Sequence, residues 1–257
     1  MHIQRGAWAE INLDAVAHNV QMAKANLKPT TKLCAVVKAD AYGHGAVRVA
    51  QEAARNGADF FAVALLQEGV KLREAGIETP ILVLGAMLPE VAEICVRYDI
   101  SHAVFDEERL YALNAAALKL HTKAKIHIKI DTGMHRIGVH VRDAGRFAKL
   151  AASLPGIYIE GVFSHFATAD ADDKQYAAYQ FERFQEALRL IEAEGVHIPI
   201  RHIANSAALT ELQEYQLDMV RQGITLYGLH PAHMIDCYKD FEPVMTVKTQ
   251  VAFVKTL

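Results

Sequence analysis

The sequence predicts an α/β protein, a (β/α)8 TIM barrel followed by the start of a C-terminal β-strand domain. Three observations carry that expectation. Short β-branched runs alternate with segments of helical spacing, eight such runs can be counted, and the 257 residues are close to the usual length of one such barrel.

The elements follow in chain order. Ala7–Ile11 reads as a lone strand and Leu13 to about Leu27 as a helix. The eight apolar runs are Leu33–Lys38, Phe60–Leu65, Pro80–Gly85, His102–Phe105, Lys125–Asp131, Ile157–Ser164, Ile198–Ala204 and Met219–Ile224. Most are too short for globular helices and are rich in Val and Ile. Helical spacing fills the gaps between them: Arg48 to Arg55, Gln67 to Ala75, Pro89 to Arg97, Glu107 to Leu120, Arg142 to Leu154, Lys174 to Glu194 and Ala207 to Tyr215. Gly57, Gly76 and Gly195 stand where helices end, and Pro89 suits a first helical turn. An open doubly wound sheet is the alternative, but it usually has fewer strands. Beyond Tyr227 the pattern changes, and Val244 to Val254 alternates apolar and polar residues as an antiparallel strand does. The expected organisation is therefore residues 1–11 as a strand pairing with the C-terminal domain, 12–240 as the barrel, and 241–257 as the beginning of a truncated β-rich domain.

Composition narrows the class. Hydrophobic residues make up 52% and charged residues 22%, and 27 basic against 30 acidic side chains leave a net charge of −3. That balance gives no electrostatic reason to expect nucleic acid or an anionic membrane as a partner. Cys34, Cys95 and Cys237 are widely spaced, which suggests reduced thiols in a cytoplasmic protein rather than disulfides or a zinc site. Histidines are numerous but show no ligand spacing, so no metal is expected. The first 24 residues interleave charges with apolar side chains, unlike a signal peptide or a membrane span.

Catalytic groups in such barrels gather where the strands end. Lys38 ends the first strand and leads into Ala39-Asp40-Ala41-Tyr42-Gly43-His44-Gly45. Partial desolvation there would lower its pKa and free an amine for Schiff-base chemistry, although a lysine at that place can also simply snorkel to the surface. Asp131 leads into Thr132-Gly133-Met134-His135-Arg136, while His165 and Thr168 follow the sixth strand. Asn205-Ser206 and Gly223-Ile224 follow the seventh and eighth, where hydroxyl and backbone N–H donors often bind phosphate. A reactive lysine facing phosphate donors suggests a phosphorylated carbonyl cofactor. Asp40, Asp131 and Asp170 read as loop carboxylates bonded to backbone, and Tyr227 as a core aromatic.

These residues carry a family resemblance. Ala35-Val36-Val37-Lys38-Ala39-Asp40-Ala41-Tyr42-Gly43-His44-Gly45 closely resembles the pyridoxal-phosphate attachment signature of bacterial alanine racemases. Four further motifs follow in order: Lys129 to Gly138, Gly161 to Asp170, Ala204 to Ala208, and Val220 to Ile224 with Leu226-Tyr227-Gly228. The similarity runs the length of the chain.

The resemblance implies roles. Lys38 matches the lysine that bonds the cofactor and serves as one of two bases. Arg221 matches the arginine facing the pyridine nitrogen; a permanent cation there disfavours ring protonation and weakens the ring as an electron sink, which suits racemisation. His165 matches the histidine that bonds that arginine. Arg136 matches the arginine near the cofactor phenolic oxygen and the substrate carboxylate. Tyr42, Ser206, Gly223 and Ile224 match phosphate-binding positions with Asn205 beside them, and Leu84 matches a residue packing near the cofactor. Lys129 matches a lysine that some members carry as a carbamate. Gln222 departs from the pattern, where an apolar residue is expected.

The implied function is interconversion of L-alanine and D-alanine, supplying D-alanine for peptidoglycan, by a cytoplasmic homodimer. In the family the second base is a tyrosine from the partner's C-terminal domain. No position here matches it, so the chain is expected to be inactive alone. The alternative is a non-catalytic single-domain barrel that only binds pyridoxal phosphate; such proteins lack the lysine motif seen here.

Overall fold

The computed structural model describes residues 6–231 and 238–256. The expectation for Cys237 lies outside the described residues.

The strands are β1 (Ala7–Ile11), β2 (Lys32–Val36), β3 (Phe60–Val63), β4 (Ile81–Val83), β5 (Ser101–Val104), β6 (Ala124–Asp131), β7 (Val139–His140), β8 (Ile157–Phe163), β9 (Ile200–His202), β10 (Met219–Gln222) and β11 (Met245–Thr249). Eight of them form one parallel sheet in the order β10-β2-β3-β4-β5-β6-β8-β9. The sheet closes on itself where the Asp218 amide donates to the Arg201 carbonyl (3.1 Å) and the Arg221 amide to Ala204 (3.1 Å). A (β/α)8 barrel is thus observed, with all eight sequence runs as its staves.

Period-two alternation sorts the strand side chains. Leu33, Ala35, Phe61, Val63, Ile126, Ile128, Ile130 and Val220 face the helices and share the large outer core. The barrel interior divides in two. Cys34, Val36, Phe60, Ala62, Leu82 and Met219 fill an apolar half. Buried Ser101, His127, Lys129, His202 and Arg221, from β5 to β10, make the other half polar. Two of the longer helices begin on side-chain caps: Asn12 accepts from the Asp14 and Ala15 amides to start Leu13–Ala25, and Asp106 accepts from Arg109 to start Glu107–Lys119.

Several boundaries differ from the sequence reading. The first barrel strand stops at Val36, two residues before Lys38, because the chain then turns left-handed. Of the alternating stretch Val244 to Val254, only Met245–Thr249 forms a strand; it pairs antiparallel with β1, and β1 is too short to pair with more. The helix expected to reach Tyr215 breaks into Ser206–Glu211 and a 3-10 turn at Gln213–Tyr215. The short β7, beside β6, was not foreseen. Phe241 and Val244 are buried, and the 242–244 backbone is tied to the first helix: the Glu242 amide donates to Asn19 Oδ1 (2.8 Å) and the Asn12 amide to the Val244 carbonyl (2.8 Å).

Candidate active site

A cavity of about 550 Å3 opens at the C-terminal ends of the barrel strands. Lys38, Tyr42, Leu84, Lys129, Arg136, His165, Asn205, Ser206, Arg221, Gly223 and Ile224 all line it. The topology therefore brings together every residue singled out as a site candidate. They come from six different strand ends, where parallel strands all aim their following loops.

Lys38 enters the cavity from an unusual turn. Ala39, Asp40, Ala41 and Tyr42 have φ of 51°, 52°, 56° and 53°, one turn of left-handed helix built without glycine. Such backbone costs about 1–2 kcal/mol per residue, so surrounding bonds must hold it. Glu68 accepts from the Ala39 amide (2.6 Å), and Asp40 accepts from the Ala46 amide (3.0 Å). The Tyr227 hydroxyl, buried beneath, donates to the Val36 carbonyl (2.8 Å), and its ring packs on Tyr42 and His44. Tyr227 is thus more than a core aromatic. Half-buried, the Lys38 amine lies 5.7 Å from the Tyr42 ring centre. Burial, and secondly the Arg136 charge, hold its pKa below the ordinary lysine range, against the opposing pull of Glu68.

Arg221 rises from β10 into the polar half of the barrel, 3% exposed. Its Nη2 donates to the carbonyls of Ser164 (2.9 Å) and Ile203 (3.1 Å) and to His165 Nδ1 (2.9 Å), and its Nη1 to His202 Nδ1 (2.7 Å). Burial lowers its pKa to about 10, so it remains a cation at neutral pH. Burial first, and then the Arg221 charge, also push His165 and His202 well below the ordinary histidine range. Lys129 is buried, with Nζ 4.8 Å from the Phe163 ring centre; burial, then Arg221 and Arg136, pull its pKa far down.

Across the cavity the Ser206 hydroxyl accepts from the Gly223 amide (2.8 Å). A Cβ on Gly223 would lie 3.6 Å from both Ser206 Oγ and Tyr42 Oη, in the space those groups enclose. This is a cradle of hydroxyls and backbone of the kind that binds phosphate oxygens. Asn205 uses its side-chain oxygen to cap the helix that follows, accepting from Ala208 (3.1 Å). An amine, a buried arginine and a hydroxyl cradle around one cavity fit a flat, phosphorylated aldehyde such as pyridoxal phosphate. Among the described residues no group of three or more His, Cys, Asp or Glu could hold a metal ion.

Asp40 and Asp131 bond to loop backbone, Asp131 accepting from the Gly133 and His135 amides (both 3.0 Å). Asp170, grouped with them in the sequence, lies exposed on the cavity wall and makes no such bond among the described residues. Gln222, the departure from the family pattern, points out of the barrel and donates to the Asn19 carbonyl (3.1 Å). Sequence reasoning missed His127, His202 and Glu160, which lie behind Arg221. The only available signal was their period-two placement on strand interiors.

The model of the family described as alanine racemase, N-terminal domain, matches residues 11–231. The alanine racemase of Desulfovibrio desulfuricans is 46% identical over 251 residues, covering 98% of this chain and 68% of that protein. That of Halothermothrix orenii is 44% identical over 253 residues, covering 98% and 67%. Among solved structures, alanine racemase of Clostridium difficile 630 in complex with cycloserine superposes with a TM-score of 0.95 at 38% identity, covering 99% of this chain and 71% of that one. The Bacillus anthracis enzyme with bound L-Ala-P gives 0.93 at 36%, covering 100% and 67%. The chain spans about two thirds of the length of these relatives.

Proposed function

The chain belongs to the alanine racemase N-terminal domain family, and we propose that it forms the pyridoxal-phosphate-binding barrel of an enzyme interconverting L-alanine and D-alanine. The observation that carries this reading is the convergence of Lys38, Arg221 and the Ser206–Gly223–Tyr42 cradle on one cavity. Pyridoxal phosphate supplies an aldehyde that condenses with amines and a conjugated ring that accepts the electron pair left by a departing α-proton.

The chain's own residues divide the remaining work. Lys38 supplies the attaching amine, and its depressed pKa leaves more of it neutral and able to take up a proton at Nζ. Arg221, which can only donate hydrogen bonds, would face the ring nitrogen and offer it no lone pair and no spare proton. His165 accepts from Arg221 and so steadies the guanidinium from the cavity side. Tyr42, Ser206 and the backbone of Gly223 and Ile224 would hold the phosphate, with Asn205 fixing the helix start beside them. Leu84 would pack against the cofactor. Arg136, at the cavity mouth, suits the substrate carboxylate. Lys129 is a buried amine facing two guanidinium groups, so carbamylation, which turns it into an anion, would place a counter-charge between them.

We further read the complete enzyme as a cytoplasmic homodimer in which a partner tyrosine acts as second base, the D-alanine serving cell-wall synthesis. Mixing the protein with pyridoxal phosphate should give a visible absorption band that Lys38→Ala abolishes. An unchanged band in that variant would remove Lys38 from its role. Chiral analysis of alanine incubated with the complete dimer tests the reaction itself.

A further inference from the structure

Behind Arg221, away from the cavity, a line of hydrogen bonds crosses the polar half of the barrel. Arg221 Nη1 meets His202 Nδ1 at 2.7 Å, His202 Nε2 meets His127 Nδ1 at 2.9 Å, and His127 Nε2 meets Glu160 Oε2 at 3.0 Å. The same carboxylate oxygen accepts from the Ser101 hydroxyl at 2.5 Å. Neither ring nor Glu160 lines the cavity.

The order of protons along this line is fixed by its two ends. A guanidinium has no acceptor, so His202 Nδ1 must be unprotonated. A neutral His202 then carries its hydrogen on Nε2 and donates to His127 Nδ1. His127 in turn carries its hydrogen on Nε2 and donates to Glu160. An imidazolium at either ring, or a flipped tautomer, would set two N–H groups face to face at a distance where only one can be accommodated. An ionised carboxylate can only accept, as the far end requires, and the Ser101 hydroxyl helps keep it so. Burial raises the Glu160 pKa, but hydrogen bonds from His127 and Ser101 together with neighbouring positive charge leave it below the ordinary range.

The backbone is shaped around this line. A Cβ on Gly161 would lie 2.5 Å from His127 Nδ1, so the glycine beside Glu160 opens the space the ring occupies. Phe163 stacks flat on His202, with ring centres 4.9 Å apart and planes within 5°. The His202 ring is thus held in plane as well as in hydrogen bonding.

We propose that Glu160 is a positioning residue: by accepting from His127 it anchors the far end of the His127–His202 line and thereby holds the Arg221 guanidinium in a single pose toward the cofactor. Its consequence for the cofactor rests on the function proposed above; the proton order itself does not.

The test therefore begins without cofactor. Long-range 15N–1H correlation of the histidine rings in the cofactor-free protein, assigned with single His→Gln variants, should show His127 and His202 each protonated on Nε2 alone at neutral pH. A proton on Nδ1 of either ring, or an imidazolium, in the wild-type protein overturns the proposal. Glu160→Leu keeps volume but removes the acceptor. It should leave the His127 Nε2 hydrogen without its acceptor, seen as an upfield move of that proton, and weaken pyridoxal phosphate binding, read by absorbance titration, about tenfold. Glu160→Gln keeps an acceptor oxygen for His127 and should retain the wild-type tautomers, with affinity within about threefold. An unmoved His127 Nε2 proton with wild-type affinity in Glu160→Leu would also overturn the proposal. If that variant fails to fold, the wild-type and Glu160→Gln spectra still decide. A wild-type protein that binds no pyridoxal phosphate would defeat the proposed function, while the ring spectra would still judge the proton order.

Discussion

Arg221 shows how much one side chain can organise when its donors are fixed in a plane. Its two Nη atoms serve four acceptors drawn from the C-terminal ends of β8 and β9: His202, His165, and the carbonyls of Ser164 and Ile203. Removing the fork leaves those acceptors buried without a donor, and each such loss costs about 1–3 kcal/mol before any relaxation. Arg221→Ala is therefore expected to lower unfolding stability by about 3 kcal/mol, measured by urea denaturation. Arg221→Lys should recover part of that stability but not the pose, because an ammonium cannot span His202 and His165 as a flat fork does. A loss below about 0.5 kcal/mol in Arg221→Ala, the range of ordinary surface substitutions, would mean the four acceptors find other partners.

Among the elements that build the site, the left-handed turn after β2 is the one the sequence concealed. Ala39, Ala41 and Tyr42 have no preference for positive φ, and the apolar run through Val37 looks like a strand continuing to Lys38. Asp40 braces the turn locally, but the rest is imposed from outside, by Glu68 on the Ala39 amide and by Tyr227 beneath, contacts between distant positions that no local pattern encodes. The barrel staves were legible for the opposite reason. Each is a β-branched run whose alternation suffices to say strand, and the convergence of loops at one rim follows from parallel topology alone. The His127–His202 bond joins residues 75 apart in sequence and was invisible for the same reason as the turn. Because Ala39 is exposed, its substitution isolates backbone strain. Ala39→Gly should stabilise by about 0.5–1 kcal/mol, and Ala39→Val should destabilise by about 2 kcal/mol, in urea unfolding. Equal effects of the two would show that the turn is not left-handed in solution.

For the whole molecule, a barrel half filled with polar groups has a consequence for acid stability. His102, His165 and His202 are all held below the ordinary histidine range chiefly by burial, His102 from 6.5 down to about 4. Unfolded, these rings take up protons as pH falls through about 6.5; folded, they resist until the pH is much lower. The unfolded state therefore binds more protons across that interval, and stability must decline as pH falls through it. Asp40, Asp131, Asp218 and Glu160 act in the same direction lower down, since their folded pKa values lie below their unfolded ones and their contribution is lost as pH falls through the carboxylate range. His102 is the cleanest probe of the upper stage. It lies outside the barrel interior, and among the described residues its Nε2 has no hydrogen-bond partner and its Nδ1 bonds the Ala103 carbonyl alone (2.7 Å). Its share of the decline between pH 6.5 and about 4 is about 3 kcal/mol. Urea midpoints measured across this interval should fall steadily in the wild-type protein and less steeply in His102→Leu, by up to one proton's worth of slope. The two proteins should converge in steepness only below about pH 4, where the carboxylates take over. Parallel curves throughout would show that His102 gains its proton in the folded state as readily as in the unfolded chain, and that the interior is wetter than its packing implies.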